Sequence, residues 1–418
     1  MLDLLNRWRS PISRGGVDLA AVLVLGLATI FWVMDAQAAS LSATLLAALA
    51  VIAAVALIGP HRIADMRLVL VFFSFLFIYA AGISFSYFFI VEPHPARHNL
   101  YLAQCAGLAL SAIMFTLGAV AARLRAWTGF VAALVVIALL SLFFEVDLAK
   151  VDLERRYGPD QVVAGFQQLG DAVTICALVL ATRLRRPLLL YLLAAAGVTL
   201  LIIIPSRSAT ILGVISLMFV CVIGSPARMR LPLMGICVVI AIAIRLVLTS
   251  PPAPEVSSGR TAASATDTGN TNKPAQNVGP ATGKPSVLTA AESGIMGERN
   301  RIFDRGVEAI REHPIAGWFG FQLDAFNRPG MHMRNFMDAW AQAGAIAIIA
   351  FLLLWLILIR QWYLSFHSRR DLANRLLPML AFPALAWLAS RPVSYSLLYF
   401  CVGFFAAALA FGLEDTTQ

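Results

Sequence analysis

Long apolar runs dominate this chain and restrict its fold more than any other feature. A helical run of about 20 apolar residues matches the hydrocarbon core of a bilayer. Inside lipid every backbone N–H and C=O must find a partner within the protein, so only helices or closed barrels cross. About twelve runs of that length can be read, at residues 17–34, 41–58, 68–91, 100–121, 128–146, 163–182, 188–204, 209–223, 233–248, 336–359, 376–388 and 397–413. The sequence therefore predicts an all-α polytopic membrane protein of about twelve transmembrane helices. Composition agrees: 13% of the residues are charged, where a soluble protein carries about 25%.

Arginine placement orients the predicted spans. Arg7, Arg9 and Arg14 lie in the N-terminal tail, and alternate loops carry Arg62 and Arg67, Arg123 and Arg125, Arg183, Arg185 and Arg186, Arg228 and Arg230, then Arg360, Arg369, Arg370 and Arg375. Basic short loops stay in the cytoplasm, so both termini are expected there too. The start, MLDLLNRWRSPISRGG, reads as a retained tail rather than a cleaved signal. The net charge of +9 then reflects orientation and not nucleic-acid binding. Loops 35–40, 92–99, 147–161, 205–208, 249–335 and 389–396 face the opposite side. Three parts follow: 1–248 with nine spans, the large outer loop 249–335, and 336–418 with the last three spans. Cys105, Cys176, Cys221, Cys237 and Cys401 fall within apolar runs, so no disulfide framework or metal cluster is implied.

The outer loop divides by composition. Residues 250–289 are rich in Pro, Gly, Ser, Thr and Ala, with no hydrophobic period, and read as a disordered tether. Residues 295–335 read as a short-helical, polar segment. An amphipathic helix is expected over 302–312, with Ile302, Phe303, Val307 and Ile310 on one side. His313 precedes Pro314 and ends it.

Three outer-face positions carry candidate chemistry. Arg207, in IIIPSRSATI, sits in a minimal hairpin, with Ser208 expected to cap the next span. An arginine there either snorkels to headgroups or binds an anion with a strength raised by desolvation. Arg299 opens the amphipathic helix, where backbone N–H groups favour a phosphate, with Arg301 just beyond it. His332 enters the tenth span with arginines near it, and a histidine titrates near neutrality. Arg334, Asn335 and Arg391 complete the candidate binding set. His94 and His98 form a weaker interfacial pair without a metal-ligand set. No Walker loop or dinucleotide fingerprint is present, so neither nucleotide nor cofactor is expected.

Arg299, Phe303 and Val307, followed by EHPIAG at 312–317, resemble the outer-loop signature of the O-antigen ligase superfamily. The Ser-Arg-Ser hairpin around Arg207, the order of spans and the late outer loop resemble it as well. The YGPDQV stretch from Tyr157 looks like an altered form of another family segment. Where the family has Trp in its loop helix this chain has Phe303. Its histidine is followed at once by Asn or Ser, whereas His332 is followed by Met333, with Asn335 three residues on.

The resemblance implies an inner-membrane glycosyltransferase facing the periplasm. It would move a glycan from undecaprenyl diphosphate to the lipid A–core oligosaccharide. Arg207, Arg299 and His332 match the family's hairpin arginine, loop arginine and histidine. The chemistry is consistent with this: a diphosphate is already a good leaving group, and needs charge stabilisation and a base for the acceptor hydroxyl. A polymerase of the same superfamily is the nearest alternative. A transporter or flippase is the second, disfavoured because the spans are read as carrying almost no buried charge, Arg245 being the main exception, while polar residues concentrate on one face. If 250–289 is only a tether, deleting it should leave membrane insertion and activity near wild type. An inactive, well-inserted deletion would contradict that reading.

Overall fold

The computed structural model describes residues 66–90, 95–123, 135, 159–184, 186–204, 206–225, 311, 336–389, 391, 393 and 395–411. Every element among them is helical. In chain order these are α1 (Met66–Phe85), continued by a π-helical turn (Ser86–Ile90), α2 (Pro95–Arg123), α3 (Pro159–Arg183), α4 (Pro187–Ile203) and α5 (Arg207–Gly224). Beyond residue 335 come α6 (Asp338–Ala343), α7 (Ala345–Ser368), α8 (Arg370–Ala389) and α9 (Leu398–Phe411). Among the described residues three stretches are long and apolar enough to cross a membrane: Arg67–Phe89, Ala345–Ser368 and Arg370–Ala389. The protein is thus helical and built for a membrane. The expected spans at 17–34, 41–58 and 233–248 lie outside the described residues, as does 128–146 except Val135.

The burial pattern divides lipid-type faces from core. α7 buries Ala347, Phe351, Leu354 and Leu358 while Leu352, Leu353 and Leu356 stay exposed. Exposed leucines at helical spacing suit a hydrocarbon surround, not water. α3 is buried continuously from Gln168 to Thr182. α9 is nearly as enclosed, and packs most closely against α2. A Cβ at Gly118 or Gly403 would overlap the other helix's backbone, at Phe400 and Phe115 respectively. Such small residues allow close helix packing where lipid removes the hydrophobic drive.

Aromatic rings fill the space between α1, α2, α7, α8 and α9. Phe72 stacks on Phe115 at 4.0 Å, and Trp387 meets Phe351 edge-on at 5.3 Å and Tyr399 at 5.0 Å. Offset and edge-on pairs of this kind each add about 0.5–1.5 kcal/mol beyond burial.

Arginines make two of the contacts between helix ends. Arg183 donates to Ala122 O at 2.8 Å, joining the end of α3 to that of α2. One cavity brings Arg67, at the start of α1, to Arg360 near the end of α7.

The tenth span departs from expectation: 336–359 is not one helix. Gly344 separates α6 from α7 with φ 90° and ψ 173°, a region open essentially to glycine alone. The eleventh begins earlier than expected, at Arg370 instead of 376, and contains Pro378 and Pro383. Each proline removes an N–H from the helix ladder. Gly344→Ala is expected to cost about 1–3 kcal/mol, read as a lowered thermal midpoint of the purified protein in detergent. An unchanged midpoint would contradict the positive-φ break.

Candidate functional site

Among the described residues the two buried charges, Asp171 and Arg391, meet. Asp171 lies at the midpoint of α3 and is 0% exposed. Its partner is Arg391, 1% exposed, in the connection between α8 and α9. Nε of Arg391 donates to Oδ2 at 2.7 Å and Nη2 to Oδ1 at 3.0 Å. This is the two-pronged geometry that suits guanidinium and carboxylate, and its bonds are charge-assisted.

The rest of the guanidinium is also engaged. Nη1 donates to Ser208 Oγ at 3.4 Å. The Gln167 amide oxygen, in the orientation that satisfies both groups, accepts from it as well. Its carbon lies 5.5 Å from the centre of the Tyr395 ring, a cation–π distance. The Tyr395 hydroxyl is buried and has no well-formed hydrogen bond among the described residues. Burial, then the Asp171 carboxylate, pushes its pKa well above the usual tyrosine value, so it stays protonated. Burial alone would lower the Arg391 pKa, but Asp171 outweighs it and the net shift is upward.

Backbone contacts hold the α8–α9 connection around this pair. Arg391 N–H donates to Ala386 O at 2.9 Å, and Tyr399 Oη donates to Val393 O at 2.8 Å. Phe336 N–H donates to Trp387 O at 2.9 Å, which ties the segment leading out of the large loop to the same corner.

The hairpin carrying Arg207 reaches the same level. Gly170 lets α3 approach α5 closely, since a Cβ there would lie 2.6 Å from Ala209 Cβ. Thr210 Oγ1 donates to Leu201 O at 2.8 Å, closing α4 onto α5. Two sequence expectations are corrected here. Arg207 is not in the turn but is the first residue of α5, and the N-cap position is Ser206, not Ser208. Ser208 lies within the first turn and accepts from Arg391.

The expectation of almost no buried charge in the predicted spans is also corrected, because Asp171 is buried at the midpoint of α3, within the run 163–182. The sequence reading does not single it out, although an aspartate inside an apolar run is itself a signal for a partner. Of the sequence candidates, Arg391 is described in full, and Arg207 by its backbone. Arg299, Arg301, His332, Arg334 and Asn335 lie outside the described residues, as does the 302–312 helix apart from Arg311, which is helical and exposed.

An ion pair this dry fails badly when half of it is removed. Asp171→Asn and Arg391→Gln are each expected to destabilise the protein by about 3–5 kcal/mol, by leaving a charge or polar group unmatched. The double change Asp171→Leu with Arg391→Met is expected to recover most of that loss in thermal unfolding. Single variants as stable as wild type would show that the pair contributes little.

The chain matches no protein-family model, and comparison with curated proteins finds no significant match.

Proposed function

We propose that the protein is a periplasmic glycosyltransferase of the bacterial inner membrane. In this reading it transfers a glycan from undecaprenyl diphosphate to the lipid A–core oligosaccharide. Its frame has about twelve spans, cytoplasmic termini and a catalytic outer loop at 249–335. The observation that carries the reading is the setting of Arg207. It opens α5 at a tight hairpin, and the next residue is tied to the buried Arg391–Asp171 pair. A cationic residue so placed meets a lipid-linked diphosphate at fixed depth, with the first-turn N–H groups of α5 adding partial positive charge.

The mechanism follows from the leaving group. Arg207, and Arg299 from the outer loop, bind the diphosphate oxygens, and each guanidinium can make two parallel hydrogen bonds. Arg301, Arg334 and Asn335 contribute further donors near the glycan. His332 accepts the proton of the acceptor hydroxyl as its oxygen attacks the anomeric carbon. The carbon–oxygen bond to the diphosphate breaks, and the arginines stabilise the negative charge gathering on it. Direct displacement inverts the anomeric centre and, with the arginines stabilising the leaving charge, needs no metal ion. Arg391, satisfied by Asp171, acts by positioning the α5 hairpin.

A transporter is the second reading, and the buried pair at the midpoint of α3 is the observation in its favour, since carriers place charge near the midplane. Against it, the pair is enclosed and mutually neutralised, with no open face for a passing solute. A polymerase of the same superfamily differs only in acceptor.

Complementation of a strain lacking its lipopolysaccharide ligase separates these readings. Wild type is expected to restore the ladder of glycan-bearing lipopolysaccharide. Arg207→Ala, Arg299→Ala and His332→Ala are expected to abolish it at unchanged expression, each losing at least about 100-fold in rate. A ladder that survives all three substitutions would overturn the site.

A further inference from the structure

A cavity of about 640 Å³ lies between the start of α1, the last turns of α7 and the end of α9. That volume falls within the range of small-ligand sites, about 300–1,000 Å³. Two guanidiniums line it, Arg67 from α1 and Arg360 from α7, with Gln361 and Ser365 beside them. Its remaining walls include Val71, Ile357 and Leu409.

Helical spacing accounts for the arrangement. Arg67 and Val71 are one turn apart on α1, and Ile357, Arg360, Gln361, Leu364 and Ser365 share a face of α7. That face continues into the exposed leucines Leu353 and Leu356, which suit acyl chains. The site therefore offers paired cationic donors next to a hydrocarbon-type surface. A soluble anion would use only the first feature; a phospholipid uses both.

We propose that this cavity binds an anionic glycerophospholipid, its phosphate between Arg67 and Arg360 and one acyl chain along Val71 and Leu409. Guanidinium matches phosphate geometry with two hydrogen bonds, and basic pockets between membrane helices are suited to such headgroups. The site is separate from Asp171 and the Arg207 hairpin and does not depend on what reaction the protein performs.

The test uses the full-length purified protein, delipidated in detergent and titrated with phosphatidylglycerol or phosphatidylcholine, bound lipid being read by native mass spectrometry. Phosphatidylglycerol is expected to bind more tightly. Arg67→Gln and Arg360→Gln are each expected to weaken it about fivefold, while Arg186→Gln, an exposed arginine that does not line the cavity, leaves it unchanged. Ala410→Phe fills the cavity without removing a charge, and is expected to block binding too, which guards against a glutamine variant that misfolds. Equal binding of the two lipids would overturn the proposal. So would equal loss in Arg186→Gln, or displacement of the lipid by inorganic phosphate at the same concentration.

Discussion

The Asp171–Arg391 pair is the constraint on which the described bundle depends. Taking either charge out of water alone costs several kcal/mol, and more in hydrocarbon than in a soluble core. Asp171 can therefore be tolerated at the centre of α3 only if a cation is delivered to it. The chain delivers one from 220 positions away, on the short connection between α8 and α9. That requirement fixes how deep the connection lies. Arg391 must reach inward, Ala386 O receives its backbone N–H, and Tyr399 Oη holds Val393 O at the other side. A loop that would otherwise remain at the surface becomes part of the interior.

The same requirement reaches the α4–α5 hairpin. With both carboxylate oxygens occupied, the remaining guanidinium donors turn towards Gln167 and Ser208. Ser208 is in the first turn of α5, so the hairpin tip is pinned to the pair, and Arg207 begins its helix at a defined depth. Gly170 makes this possible by letting α5 close onto α3 beside Asp171. In the proposed reaction a diphosphate has to be held while its charge rises. An arginine on a pinned hairpin loses less in reorganisation than one on a mobile loop.

Much of the helical architecture was legible in the apolar runs. The segments read at 68–91, 100–121, 163–182, 188–204 and 209–223 correspond to α1 to α5 within a few residues, since spans must be long, helical and apolar whatever their partners. The break at Gly344 was less so, because the apolar pattern runs through it and only the backbone angle reveals it. Pairing was legible least of all. Asp171 and Arg391 are each visible in the sequence, one inside a run and one in a short loop, but nothing local links them. Ser208 misled for a related reason: a serine beside a hairpin suits a cap, and the need of Arg391 for an acceptor took it elsewhere. Arg299 and His332 rest on resemblance and on their chemistry.

The central claim is that a lipid diphosphate is displaced directly from a glycan by residues of this chain. It is tested most directly with purified protein in liposomes, supplied with a polyprenyl-diphosphate glycan of known anomeric configuration, an acceptor lipid and a metal chelator. Magnetic resonance then reads the configuration of the new glycosidic bond. Transfer under chelation with inverted configuration is the expected result. A retained configuration, or transfer that stops when divalent metal is removed, would contradict the account.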